Sequence, residues 1–206
     1  MNSVSVTGKK WIFKEYENSY IDYLKNNFLL DNLTAKLLAI KKIKKDEVSN
    51  YLNPSIKNIL PNPNTLKDME KTTDRTIKAI NKNETIGIFG DYDVDGATST
   101  AILGNYFKEI NHPFEFYIPD RKAEGYGPSI KGFEHLIKKN SKLVFTVDCG
   151  TLSFEPIKFL SDRKIDVVVL DHHQSEIKLP KAYSIINPNR IDDNSNLNYL
   201  CAAGVC

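Results

Sequence analysis

"TIGIFGDYDVDGATST", Thr85 to Thr100, joins a short apolar run to three aspartates at alternate positions and then a glycine. Two structures compete for such a run. The calcium loop of an EF-hand follows a helix and carries a bidentate glutamate at its twelfth position. Counting from Asp91, that position is Ile102. The preceding residues Ile86, Ile88 and Phe89 form a β-branched and aromatic run, bounded by glycine and too brief for a helix. The EF-hand is therefore excluded, and a strand ending in a carboxylate-rich turn remains. Carboxylates this close repel one another, so the turn calls for a bound cation or a strong hydrogen-bond network.

Outward from this stretch, short apolar runs alternate with amphipathic ones, the pattern of β-α-β units. Strands are expected at Ile86–Phe89, Phe114–Tyr117, Leu143–Val147, Val167–Leu170 and Ser184–Ile186, with helices at Ala97–Ile110, Ser129–Asn140 and Phe154–Arg163. The fold class is α/β: a parallel sheet with helices on both faces over residues 84–206, preceded by a small helical region over residues 1–83. In that region "YIDYLKNNFLL", "LTAKLLAIKKI" and "DEVSNYL" read as helices, broken at Asn53-Pro54 and "LPNPNT". A further amphipathic helix in "LKDMEKTTDRTIKAINKN" would turn Leu66, Met69, Thr73, Ile77 and Ile80 inward.

In an open α/β sheet, ligands bind beyond the carboxyl ends of the strands, and right-handed crossovers bring those ends to one edge. Three ends carry acids: Asp91, Asp93 and Asp95 after the first strand, Asp148 in "TVDCG", and Asp171 with His172 and His173 in "VVVLDHHQ". Mixed carboxylate and imidazole donors suit Mn²⁺ or Mg²⁺ better than Ca²⁺. At least four converging carboxylates suggest two ions, the usual device for phosphoester hydrolysis. Gly96 at a helix start would let a phosphate approach the backbone. Arg121 in "RKAEGYGPS" could clamp a phosphate, though a solvated turn explains it as well. Tyr126 in the same loop is the best candidate for stacking should the ligand carry a base, although with ten tyrosines in the chain a core or surface role is the default for any one of them. A lone aspartate is often only a helix cap and a lone histidine a satisfied core residue, which is how His112 and His135 are read. Coincidence at three strand ends is what that bland reading fails to explain.

Bulk properties narrow the class further. The 206 residues are 41% hydrophobic, enough for a core, and 28 basic against 26 acidic residues leave a net charge of +2 that does not by itself announce a nucleic-acid binder. The three cysteines, Cys149, Cys201 and Cys206, are odd in number and lack zinc spacing, which fits a reducing compartment. With no signal-peptide core and no run near the roughly 20 apolar residues of a membrane span, a cytoplasmic protein is expected.

Taken together, "DYDVDGATST", "TVDCG" and "DHH", with "LNPS", "LPNPNTLKDM", "IPDRKAEGYGPS", "INPNR" and "LCAAGV", resemble the DHH phosphoesterase superfamily, and within it the RecJ exonucleases, from Trp11 onward. The resemblance implies hydrolysis of single-stranded DNA from the 5′ end to mononucleotides with two Mn²⁺ or Mg²⁺ ions, in DNA repair and recombination. It implies that Asp93 and Asp95 each ligate an ion, that Asp148 bridges, that His172 binds the second ion, and that Asp91 joins the first ion's shell. It also implies that His173 contacts the scissile phosphate, that Asp171 orients the histidines, and that Arg121 lies near substrate. Expected partners are single-stranded DNA and, by family, a single-strand-binding protein or helicase, with the chain a monomer. The family's last metal-binding aspartate, its DHH-associated domain and its OB-fold lie further downstream, so the chain reads as an N-terminal portion. Asp192 and Asp193 sit too soon after "DHH" to stand in for that aspartate. The alternatives are a DHH enzyme acting on short oligonucleotides or small phosphorylated substrates, and a non-catalytic DNA-binding scaffold or inactive fragment.

Overall fold

The computed structural model describes residues 4–10, 12 and 14–206. Trp11, where the resemblance begins, lies outside the described residues. The chain forms two compact units, Met1–Pro61 and Asn62–Cys206. In the first, helices α1 (Asn18–Phe28), α2 (Asn32–Ile40), α3 (Val48–Leu52) and α4 (Ile56–Ile59) form a small helical body. Its core is Ile21, Leu24, Ala35, Leu38, Ala39 and Val48. The side chain of Asp31 starts α2 by accepting the backbone N–H groups of Leu33 and Thr34.

The second unit opens with α5 (Met69–Asn81) and continues β1 (Ile86–Gly90), α6 (Val94–Glu109), β2 (Phe114–Tyr117), α7 (Arg121–Glu124), α8 (Ile130–Lys138), β3 (Leu143–Val147), α9 (Phe154–Ser161), β4 (Asp166–Leu170), β5 (Ser184–Ile186) and α10 (Ala202–Val205). Among the described residues the strands form one five-stranded sheet in the order β2-β1-β3-β4-β5. All neighbouring pairs run parallel. Because α5 packs with the sheet, this unit begins ahead of the border at residue 84 expected from the sequence.

The two faces of the sheet bury separate cores, as period-two alternation requires. On one face Ile86, Ile88, Phe145, Val168 and Ile186 meet Leu66, Ala79 of α5, Phe107 of α6 and Val205 of α10. On the other, Phe89, Val144, Val167, Val169 and Ile185 meet Phe133 and Leu136 of α8 and Ile157 and Leu160 of α9. The order reverses between β1 and β3, and it is outside such a switch point that an open α/β sheet offers its crevice.

The inward face of α5 differs from the expected one. Leu66 is buried, and Met69 and Ile80 pack on the core, but Thr73 is exposed and Ile77 is 50% exposed. The helix instead buries Thr72, Arg75 and Ala79. Arg75 Nε lies 2.6 Å from Asp166 Oδ2, and its Nη2 lies 2.8 Å from Glu84 Oε2. Thr72 Oγ1 lies 2.6 Å from Ser184 Oγ. Polar pairing, which hydropathy does not register, rotates the helix. Thr73 and Ile77 line an apolar groove with Ile102 and Tyr106.

Candidate metal centre

The turn after β1 is organised by its own carboxylates. Asp93 caps α6, its Oδ1 accepting the N–H of Asp95 at 2.9 Å and of Gly96 at 3.0 Å. The helix therefore starts at Val94, three residues before the expected Ala97. Donation from Gly96 is the main reason the Asp93 carboxyl titrates below its usual range. A Cβ on Gly96 would lie 2.6 Å from the Asp91 carbonyl oxygen, so glycine is required here for helix and turn to close on each other. The expected role of Gly96 was toward phosphate, whereas its N–H is given to Asp93. Asp91 is 2% exposed and accepts the Tyr92 N–H at 2.8 Å. Burial, and then the charge of Asp93, raise its pKa.

Asp148 follows β3 in the left-handed region, φ 60°, a conformation aspartate tolerates better than most residues. It is 1% exposed, and Oδ1 has no hydrogen-bond partner. His172 Nε2 lies 3.3 Å from that atom without hydrogen-bond geometry. Burial, reinforced by the charges of Asp95 and Asp93, pushes the Asp148 pKa up to about 7. An orphaned, buried carboxylate oxygen beside other acids and an imidazole is the donor set a hard divalent cation fits.

After β4, Asp171 binds the turn that carries the histidines. Its Oδ1 accepts from His172 N at 2.7 Å, His173 N at 3.2 Å and His173 Nδ1 at 2.7 Å. Its Oδ2 accepts from Thr151 N at 3.0 Å and Thr151 Oγ1 at 2.6 Å. Burial alone would raise its pKa, but these bonds, led by those from His173 and Thr151, outweigh it and bring it to about 2. The same contact with Asp171 raises the pKa of His173. With Nδ1–H directed to Asp171, the neutral imidazole accepts at Nε2, where the Tyr126 hydroxyl lies 3.1 Å away.

Two groups of ligand atoms, each lying within 4.8 Å of one another, result: Asp91, Asp93 and Asp148, and Asp148, His172 and His173. Asp148 belongs to both. Asp95 belongs to neither: its oxygens accept the N–H groups of Ala202 and Ala203, each at 2.8 Å, at the start of α10. Its Oδ2 remains 3.5 Å from His172 Nε2. Arg121 stacks on the Tyr92 ring, 4.5 Å from its centroid, and hydrogen-bonds the Tyr92 hydroxyl. Tyr126, Thr151, Leu152 and His173 line an adjoining open cleft of about 600 Å³. Asp192 is taken up by Arg190 and Lys67, and His112 is buried with Nε2 2.9 Å from the Glu84 carbonyl. Tyr92, Thr151, Asn187 and Asn189 escaped the sequence reading of the site, although "INPNR" contains the last two.

Residues 85–206 match the profile of the DHH family, N-terminal domain. The chain is 34% identical over 143 residues to the single-stranded-DNA-specific exonuclease RecJ of Bacillus subtilis, covering 69% of this chain and 18% of that protein. It is 38% identical over 139 residues to the RecJ of Haemophilus influenzae, covering 67% of this chain and 24% of that protein. A crystal structure of exonuclease RecJ bound to manganese is similar with a TM-score of 0.61 and 31% identity, over 68% of this chain and 35% of that one. The chain thus spans 18% and 24% of the two curated relatives. Among the described residues, no helix is long and apolar enough to cross a membrane.

Proposed function

This chain belongs to the DHH family, and from that premise we propose that it carries the metal site of a phosphodiesterase that degrades single-stranded DNA from the 5′ end to mononucleotides. The observation that supports this most is Asp148, buried at the sheet's switch point and common to both ligand groups. In this reading Asp91, Asp93 and Asp148 hold one Mn²⁺ or Mg²⁺ ion, and Asp148, His172 and His173 the other, with Asp95 alongside. Such ions, when bound, lower the pKa of a water and offset charge on the phosphoryl group.

The chain's own residues then divide the remaining work. Asp171 fixes the ring of His173 through Nδ1–H, which leaves the lone pair of Nε2 as the one that would face the ion. Arg121, held flat by Tyr92, presents its fork to a phosphate of the strand. Tyr126 and Leu152 flank a cleft large enough for a nucleoside. A cytoplasmic monomer acting in DNA repair and recombination, supplied by a helicase or single-strand-binding protein, is the setting that goes with this activity.

The test is to offer 5′-labelled single-stranded DNA, the same sequence as duplex, and a nucleoside bisphosphate in Mn²⁺. Mononucleotides from the single strand alone are expected. Turnover of the bisphosphate alone would replace this reading with a small-substrate phosphoesterase. DNA binding without turnover of any substrate would favour a scaffold.

A further inference from the structure

The amide side chains that follow β5 reach the back of the metal centre. Asn187, fully buried, donates from Nδ2 to the His173 carbonyl and to Thr151 Oγ1, both at 2.9 Å. Its Oδ1 accepts the Asn189 N–H at 2.8 Å. Asn189 Nδ2 in turn donates to the His172 carbonyl. Thr151 has one hydroxyl proton, and it goes to Asp171 Oδ2, leaving the oxygen lone pairs for Asn187. Asp171 then holds the imidazole of His173.

His173 is thus gripped twice and His172 once. Their carbonyls are tied to two asparagine amides, and the His173 ring is tied through Asp171 and Thr151 to the same Asn187. These bonds are not needed to join the strands, because β4 and β5 are already paired through Val168, Val169 and Leu170, and Asp171 N donates to Ile186 O at 3.1 Å. What the amides add is the placement of the histidine turn.

We propose that Asn187 and Asn189 are positioning residues of the metal centre, acting on His172 and His173 through their carbonyls and, for Asn187, through Thr151 and Asp171. This rests on the metal-dependent reading above. Changes behind metal ligands typically weaken affinity or activity by about 10–100-fold. Both amides carry the donors that the carbonyls and the Thr151 oxygen require, which a carboxylate at either position could not supply.

The experiment compares the full chain with Asn187→Ala, Asn189→Leu, Thr151→Val and Thr151→Ser. It reads Mn²⁺ affinity by calorimetry and the imidazole ¹⁵N spectrum of the metal-free protein. Asn187→Ala and Thr151→Val are expected to weaken Mn²⁺ binding about 10-fold or more. Thr151→Ser, which keeps the hydroxyl, should stay close to wild type. In Thr151→Val the His173 ring should lose its single Nδ1–H tautomer. Folded variants with wild-type affinity and an unchanged imidazole spectrum would overturn the proposal, whatever their thermal stability. If Asn187→Ala does not fold, the Val and Ser pair at Thr151 decides. If the wild type takes up no Mn²⁺, the proposed function fails, and the imidazole spectra alone decide the positioning role.

Discussion

Oδ1 of Asp148 lies 3.3 Å from Nε2 of His172, buried and without a hydrogen bond. A buried carboxylate oxygen without a hydrogen bond, this close to an imidazole nitrogen, is a pair of donor atoms that a divalent cation would satisfy. The strand ends of β3 and β4 impose it: register pairs Val147 with Leu170, the residues immediately before Asp148 and Asp171.

Asp148 should therefore cost stability when no cation is bound. Asp148→Asn removes the charge that burial and the neighbouring Asp95 and Asp93 disfavour. In EDTA at neutral pH it should raise the thermal midpoint, by roughly 2–4 °C for each kcal/mol relieved. The same variant should lose the stabilisation that Mn²⁺ gives the wild type. Paired melts with EDTA and with Mn²⁺ check both halves; a variant less stable in EDTA than wild type contradicts them.

The pH dependence of the metal-free protein follows in sign. The Asp148 pKa is raised to about 7, so the folded state holds that proton more tightly than the unfolded chain, and stability rises as pH falls from about 7 toward 4. His173, also raised, adds stability fully present below its unfolded pKa and lost as pH rises through the folded value. Asp171, lowered to about 2, contributes above its unfolded pKa and is lost only in strong acid, as pH falls through about 2. The midpoint in EDTA should be higher at about pH 5.5 than at about pH 8, by roughly 4–8 °C if about 2 kcal/mol is involved. Saturating Mn²⁺ should weaken this slope, since bound ligands are already deprotonated.

Arg121 is predicted to act on substrate binding. Arg121→Lys loses both the planar fork and the stack on Tyr92. A rise of about 10-fold in KM with kcat little changed is expected, the mark of uniform binding. Tyr92→Leu should move KM the same way, because it frees the guanidinium. Steady-state kinetics on a short single strand separate this from a loss confined to kcat.

The ion pairs of Arg75 should be structural. Its side chain is 7% exposed and faces both Glu84 and Asp166. Arg75→Ala should cost about 3 kcal/mol in urea unfolding, since it strands partly buried carboxylates. Mn²⁺ affinity of the folded fraction should not change.

Arg75 also shows where sequence reading stops. The five strands were legible because apolar runs such as "LVFTV" and "VVVL" end at glycine, proline or acid, and the acids Asp91, Asp93, Asp148 and Asp171 stood out by lying at those ends. The buried face of α5 was not legible, because a hydropathy pattern assigns an arginine to solvent. Nor was the contact of Asp95 with Ala202, which spans |i−j| = 107. Asn187, Asn189 and Thr151 are uncharged, so nothing local distinguishes them from turn residues until the fold brings them behind the histidines. Gly96 was legible only as a glycine at a helix start open to a phosphate; the close approach of the Asp91 backbone, which requires it, was not.

The most direct measurement is a Mn²⁺ titration of the wild type and Asp148→Asn followed by electron paramagnetic resonance. Two ions per chain with an exchange-coupled signal are predicted for the wild type, collapsing to at most one uncoupled ion in the variant. A single uncoupled ion in the wild type, or a coupled pair that survives Asp148→Asn, would contradict a centre built around a shared Asp148.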